Sequence, residues 1–325
     1  MKSIAFFNNK GGVGKTSLIF HVAWMLSELG VRVVGVDLDP QSNLTTMCFN
    51  ERFIEDMYEA KSRTTIFSAI EPLKRGVGDL NLFDPILVND RFSIVPGDLS
   101  LSDFEDDLSS QWPKCLDREE RAFRVTTAFY RVLAEATLRF NADVVLIDLG
   151  PNFGALNRAA LIAADYVVIP VAPDLFSVRG LENVGRRLKT WRAEWQDRRT
   201  RAGGVDFELP TGDMQPVGYV ISRHTQFADG VVQAFQRWID LIPKAYRESV
   251  DDPDNPNLQP SLGRLKDYRS LIAMAQQARK PMFMLKPGDG AIGGHQGAVR
   301  SAYGDFERLT REIASRTMVT IPLEL

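Results

Sequence analysis

Cysteine is scarce in this chain of 325 residues. The two present, Cys48 and Cys115, lie far apart and outside any CxxC or Cys/His spacing. That pattern argues for a reducing compartment and against a structural zinc site, leaving both as ordinary thiols. Long hydrophobic runs are missing too. No segment approaches the ~20 consecutive apolar residues of a membrane-spanning helix, and the N-terminus enters a strand without the apolar region of a secretion signal. A cytoplasmic protein is expected. Basic charge is not in excess: the net charge is −3, so any contact with DNA must come from a local basic face. Internal repeats and low-complexity tails are also lacking. What remains is 44% hydrophobic content, enough for one large domain over residues 1–325.

The most informative segment is Lys10-Gly11-Gly12-Val13-Gly14-Lys15-Thr16. It follows the apolar run Ile4-Ala5-Phe6-Phe7 and precedes a helical pattern of Leu18, Ile19, Val22, Ala23, Met25, Leu26 and Leu29. Strand, glycine-rich loop and helix together make a phosphate loop. Gly11, Gly12, Val13, Gly14, Lys15, Thr16 and Ser17 form the expected nucleotide cradle: backbone N–H groups and the helix N-terminus face the phosphates, Lys15 reaches the outer ones, and the Thr16 hydroxyl ligates Mg²⁺. A dinucleotide-binding reading fails, because Lys15-Thr16-Ser17 follows Gly14 where a third glycine would be needed.

Further strands are read at Val31–Val36, Val144–Ile147, Tyr166–Ile169 and Val217–Ile221, with helical patterns over Gly154–Ala164 and Leu181–Trp195. Near-continuous apolar strands alternating with amphipathic helices predict an α/β fold: a P-loop NTPase with a mostly parallel twisted sheet covered by helices on both faces. Segments near 50–90, 105–125, 196–216 and 248–262 read as insertions. Asp251-Asp252-Pro253-Asp254-Asn255-Pro256 is expected to be an exposed loop.

Acidic residues close the apolar strands, where ligands of such sheets sit. Asp148 fits a carboxylate holding Mg²⁺ through water, and Asp37 and Asp39 form a second pair one strand over. Were that strand to continue, the two would point alternately and divide the work. The competing reading of each is turn formation or helix capping.

Asn9 and Lys10 depart from the usual G-x-x-x-x-G-K-[ST], and K-G-G-x-G-K-T resembles the deviant Walker A loop of the ParA/MinD family of ATPases. The resemblance implies that Lys10 reaches across a dimer interface to the nucleotide of the partner subunit, so that two ATP molecules are sandwiched between two protomers. Without that role, Lys10 is a solvated surface lysine. Asp37-Leu38-Asp39-Pro40-Gln41 resembles the family's first switch, which implies that Asp39 orients the hydrolytic water and Asp37 lies near the metal. Asp148-Leu149-Gly150-Pro151-Asn152-Phe153-Gly154 resembles the second switch. Pro170–Asp174 through Arg179-Gly180-Leu181 resembles the segment closing over nucleotide and dimer interface, and Gln277–Met282 the f-g-K-P-i segment. Ser222-Arg223-His224 stands where adenine contacts are often found, without a base contact that can be assigned.

ParA-type relatives bind nonspecific DNA as ATP dimers and release it when a partner protein stimulates hydrolysis, whereas MinD-type relatives use a membrane. Met318–Leu325 lacks the basic amphipathic pattern of a membrane-targeting helix, so no membrane cycle is expected. For DNA the candidates are Arg186, Arg187, Lys189 and Arg192, which flank an apolar stripe of Leu181, Val184, Leu188, Trp191 and Trp195. The same arginines interleave with Glu182, Glu194 and Asp197, and so equally suit a solvated helix face. Two other functions stay open: a switch subunit acting through a partner protein, and a metabolic or iron–sulfur relative, for which neither cysteine has a ligand setting.

Overall fold

The computed structural model describes residues 1–60, 63–224, 226, 227, 230, 231, 233–251 and 259–322, the side chains of 223–235 excepted. Ten strands are present among them: β1 (Ser3–Phe6), β2 (Val33–Asp37), β3 (Ile86–Asn89), β4 (Phe92–Val95), β5 (Val144–Asp148), β6 (Tyr166–Val171), β7 (Gln215–His224), β8 (Gln226–Phe227), β9 (Gly230–Val231) and β10 (Ser261–Lys266). Eight form one sheet in the order β10-β7-β6-β1-β5-β2-β4-β3, and only β3 runs antiparallel. The β8–β9 ladder stands apart.

The apolar runs are buried on both faces, so alternation survives only as a choice of core. Ile4 and Phe6, Val144 and Leu146, and Val168 belong to one hydrophobic cluster. Ala5 and Phe7, Val145 and Ile147, and Val167 and Ile169 belong to the other. The first cluster is closed by α1 (Lys15–Glu28) and by residues of two C-terminal helices introduced below. The second lies under α4 (Ile66–Arg75), α5 (Glu105–Lys114), α6 (Glu120–Thr126), α7 (Ala128–Phe140), α8 (Ala155–Ile162), α9 (Leu175–Arg201) and α10 (Gln233–Ser249). Two short helices, α2 (Asn43–Cys48) and α3 (Glu51–Glu59), follow β2, while α11 (Ser270–Ala278) and α12 (Gly294–Arg316) follow β10.

The segments read as insertions carry structure of their own. Residues 50–90 hold α3, α4 and β3, and 105–125 hold α5, a 3₁₀ turn and most of α6. Trp195 is fully buried and stacks on Trp112 of α5 at 6.2 Å, while its indole N–H donates to the Pro210 carbonyl at 3.0 Å. Residues 252–256 of the expected acidic loop lie outside the described residues. Both cysteines are free thiols, Cys115 buried and Cys48 partly so. Among the described residues no helix is long and apolar enough to cross a membrane.

Helix α9 starts six residues before the expected Leu181, because Asp174 caps it by accepting the Ser177 N–H at 2.9 Å. Its apolar stripe is buried as the spacing predicts. Gly185 is required there: a Cβ would lie 2.1 Å from the Ser249 carbonyl of α10.

In-register pairing then sets the site. Asp37 of β2 stands beside Asp148 of β5, and Asp148 beside Phe6 of β1, so the phosphate loop and both carboxylates emerge at the same carboxyl ends.

Candidate functional site

Residues 7–14 leave β1 and turn into α1 through two left-handed glycines, Gly12 (φ 74°) and Gly14 (φ 84°). Nothing lies within 4 Å of a Cβ built at Gly12, so the backbone conformation, not crowding, requires glycine there. Gly14 caps α1 without any side-chain hydrogen bond, which leaves first-turn N–H groups free for an anion. The loop is pinned from outside: Asn8 Nδ2 donates to the Pro170 carbonyl at 2.7 Å, the Lys10 N–H donates to Asn8 Oδ1 at 3.0 Å, and Ser222 Oγ donates to the Val13 carbonyl at 2.6 Å. Such a tethered loop needs little reordering to receive phosphates.

Two lysines leave the loop in different directions. Lys15 is only 8% exposed and curls back to donate to the Asn8 carbonyl at 3.1 Å and the Lys10 carbonyl at 3.4 Å. Burial lowers its pKa, and Asp148 and Asp39 oppose that shift. Lys10 turns outward and pairs with Asp174.

The acids occupy distinct environments. Strand β2 ends at Asp37, where the Leu38 N–H bonds the Asp148 carbonyl, so the expected alternation of Asp37 and Asp39 along a strand does not occur. Asp37 is fully buried, with Oδ2 accepting the Thr45 N–H at 2.9 Å and the Thr45 hydroxyl at 2.7 Å. Burial pushes its pKa up to about 7 despite those bonds, with Asp39 adding to the rise. Asp148 is also fully buried and is raised well above the carboxylate range by burial and by Asp37, while Thr16 and Lys15 oppose the rise. One oxygen of each, Asp37 Oδ1 and Asp148 Oδ2, is buried without a hydrogen-bond partner. Asp39 sits in the turn beyond the strand, 8% exposed, with Oδ1 accepting the Gln41 N–H at 3.0 Å.

Orphaned carboxylate oxygens beside a hydroxyl and an uncapped helix N-terminus fit a divalent cation shared with phosphates, and the cation would reverse the cost of ionising the acids. Among the described residues no three His, Cys, Asp or Glu side chains gather into a cage. Two carboxylates and a hydroxyl suit Mg²⁺, which keeps waters and substrate oxygens in its shell. A cavity of about 540 Å³ opens here, lined by Gly11, Gly12, Lys15, Thr16, Asp39 and Pro151 among others.

Several supports were not evident in the sequence. Gly97 follows β4, and a Cβ there would lie 2.6 Å from Ser42 Oγ and 2.9 Å from the Asp37 carboxyl carbon, so glycine makes room for the buried acid. Asn157 of α8 holds the second switch segment by donating to the carbonyls of Gly150 and Asn152, both at 2.8 Å. Glu105 of α5 receives the N–H groups of Ala155 and Leu156 at the start of α8.

A smaller apolar cavity of about 90 Å³ adjoins the loop, between Ser17, His21, Ser222, Tyr268, Gln276 and Phe306. His21 is buried there, stacked on Phe306 at 4.6 Å, with Nδ1 2.6 Å from the Ser17 carbonyl and Nε2 accepting the Met282 N–H at 3.1 Å. Nε2 therefore needs its lone pair, and burial lowers the pKa from 6.5 to about 4. Between those values the unfolded chain binds a proton that the folded chain refuses. This contribution is thus present at neutral pH and lost as pH falls from about 6.5 to about 4. Urea unfolding is expected to lose about 3 kcal/mol more in the wild type than in His21→Gln between pH 7 and pH 4. Equal losses would remove His21 as the cause. Arg223 and His224 lie outside the described side chains.

Of the four basic candidates on α9, Arg186, Arg187 and Lys189 are exposed, and Arg187 lies over the Phe153 ring of the second switch segment at 5.7 Å. Arg192 differs: Nε donates to the Asp213 carbonyl at 2.6 Å and an Nη to the Met214 carbonyl at 3.0 Å. It fastens the 211–214 loop rather than facing outward with the others.

The sequence profile of the AAA_31 family, an AAA domain, matches residues 1–199. The cell division protein PomZ of Myxococcus xanthus is 33% identical over 180 residues, which are 54% of this chain and 48% of PomZ. The chromosome partitioning protein ParA of Caulobacter vibrioides is 26% identical over 200 residues, 61% of this chain and 66% of that protein. The aligned part thus spans 48% of one relative and 66% of the other, less than two thirds of each. The structure of a Cyanothece McdA variant in complex with ATP superposes with a TM-score of 0.64, covering 100% of this chain and 99% of McdA at 18% identity, a likeness of fold.

Proposed function

The chain belongs to the AAA_31 family, among the P-loop ATPases of ParA/MinD type, and from that premise we propose that it is a Mg²⁺-dependent ATPase switch that dimerises around ATP. In that state it binds nonspecific DNA and moves or positions DNA or other cargo in the cytoplasm, and a partner protein stimulates hydrolysis. The observation carrying this reading is the meeting of Lys15, Thr16 and Asp39 around one cavity, with Asp37 and Asp148, each keeping one orphaned oxygen, paired at the ends of the adjoining strands. The ATP-bound McdA and the partitioning role of ParA support it.

Loop N–H groups and Lys15 would bind and orient the phosphates, while Thr16, Asp148 and Asp37 would hold Mg²⁺, whose charge offsets that developing on the phosphoryl oxygens. Asp39, held by the Gln41 N–H but facing the cavity, would orient the attacking water. The apolar cavity beside Ser17 and Tyr268 suits the flat face of an adenine. All of this lies within one domain of residues 1–325.

DNA binding would rest on Arg186, Arg187 and Lys189, doubled in a dimer. With about six phosphates neutralised, log K should fall with log salt at a slope near −5, a loss of about a thousandfold between 50 and 200 mM. Fluorescence anisotropy of a labelled random duplex measures this with ATP, with ADP and without nucleotide. Binding confined to ATP and steeply salt-dependent is expected. A nucleotide-loaded protein that binds no duplex in any state would overturn the DNA reading in favour of a switch acting through another protein.

A further inference from the structure

We propose that Asp174 is a positioning residue for Lys10, holding that lysine on its own subunit until the nucleotide of a second copy draws it away. The inference rests on the reading of Lys10 as a group that acts across the dimer.

The pair is built into the fold from both sides. On the loop side, the Lys10 N–H donates to Asn8 Oδ1, and Asn8 in turn grips the Pro170 carbonyl at the end of β6. On the helix side, the Asp174 carboxylate is divided between two jobs. Oδ1 accepts the Ser177 N–H and starts α9, while Oδ2 receives the Lys10 ammonium. The second turn of α9 lies against the same loop, since a Cβ at Gly180 would come within 3.3 Å of Asn9 Oδ1. A carboxylate fixed as a helix cap cannot follow the lysine if it moves. Lys10 therefore has two alternatives, its own Asp174 or an anion presented from outside.

Exposure sets the balance. The Lys10 and Asp174 side chains are 30% and 34% exposed, and ion pairs open to water in this way shift an equilibrium by no more than about fivefold. A triphosphate carries several negative charges and outcompetes one screened carboxylate. Breaking the pair opposes dimerisation, so removing the charge of Asp174 should favour the dimer. Lys15 cannot take this role, because it is turned into the loop.

Asp174→Asn tests the idea, since asparagine caps helices as well as aspartate does and only the charge is lost. Sedimentation velocity across a protein dilution series, with Mg²⁺ and adenylyl imidodiphosphate, gives the dimerisation midpoint. We expect the midpoint of Asp174→Asn to fall two- to fivefold, with monomer affinity for a fluorescent ADP unchanged. In a Lys10→Ala background the same substitution should move nothing. A structural role alone would change ADP affinity or melting and would persist without Lys10. If Lys10→Ala dimerises and hydrolyses ATP like the wild type, the trans-acting reading of Lys10 is wrong. If Lys10→Ala is impaired but Asp174→Asn leaves the midpoint unchanged or raises it, that reading stands and Asp174 does not hold the lysine back.

Discussion

Lys15→Ala is expected to abolish ATP binding while leaving the fold intact. Lys15 is 8% exposed and satisfied by two backbone carbonyls of its own loop, and burial already lowers its pKa. A buried ammonium of this kind adds little to stability, because its desolvation offsets its hydrogen bonds. The free energy it contributes appears when phosphates replace the carbonyls as partners, through charge-assisted bonds. Titration with a fluorescent ATP analogue should show affinity at least about a hundredfold weaker than wild type, or about 2.7 kcal/mol. Urea unfolding of the nucleotide-free variant should stay within about 1 kcal/mol of wild type. Affinity within threefold of wild type would sink the assignment.

Asp39→Ala should separate binding from turnover. Asp37 and Asp148 are fully buried, each with one oxygen spent on nearby donors, whereas Asp39 lines the open cavity opposite the loop. It alone of the three acids lines the cavity. Loss of a positioned carboxylate of this kind costs about 10²- to 10⁴-fold in rate. Phosphate release should therefore fall by at least about a hundredfold with ATP affinity retained, and light scattering should show a dimer persisting in ATP. A monomer at saturating ATP, or turnover within tenfold of wild type, would move the water-orienting role to another group.

How far these assignments could be read from the sequence depended on whether the cause was local. The loop, Asp148 and the parallel sheet were legible because glycines, an apolar run and its acidic end lie within a few residues of each other. Asp37 was legible as an acid at a strand end, but its partner Thr45 and the space left by Gly97 were not. Gly97 serves a side chain 60 residues earlier, through strands paired in space. The Lys10–Asp174 contact, 164 residues apart, follows only from β6 lying beside β1. The bonds of Arg192 to the Asp213 and Met214 carbonyls were not legible, because helical spacing shows which face a residue occupies, not whether a returning loop will offer it carbonyls. The first six residues of α9 were hidden because its cap, Asp174, stood inside a segment read for its role near the nucleotide.

Helix α9 runs 27 residues from Asp174 to the arginines at its far end, about 40 Å at 1.5 Å per residue. Its N-terminal end touches the phosphate loop, and Gly185 lets the Ser249 carbonyl seat against it partway along. Its far half is anchored as well, by Trp195 stacked on Trp112 and by Arg198 donating to the Trp112 carbonyl at 2.9 Å. A rod gripped along its length shifts as one body, so a displacement of its capped end at the phosphate loop would pass along it to α5, which rests on its other end.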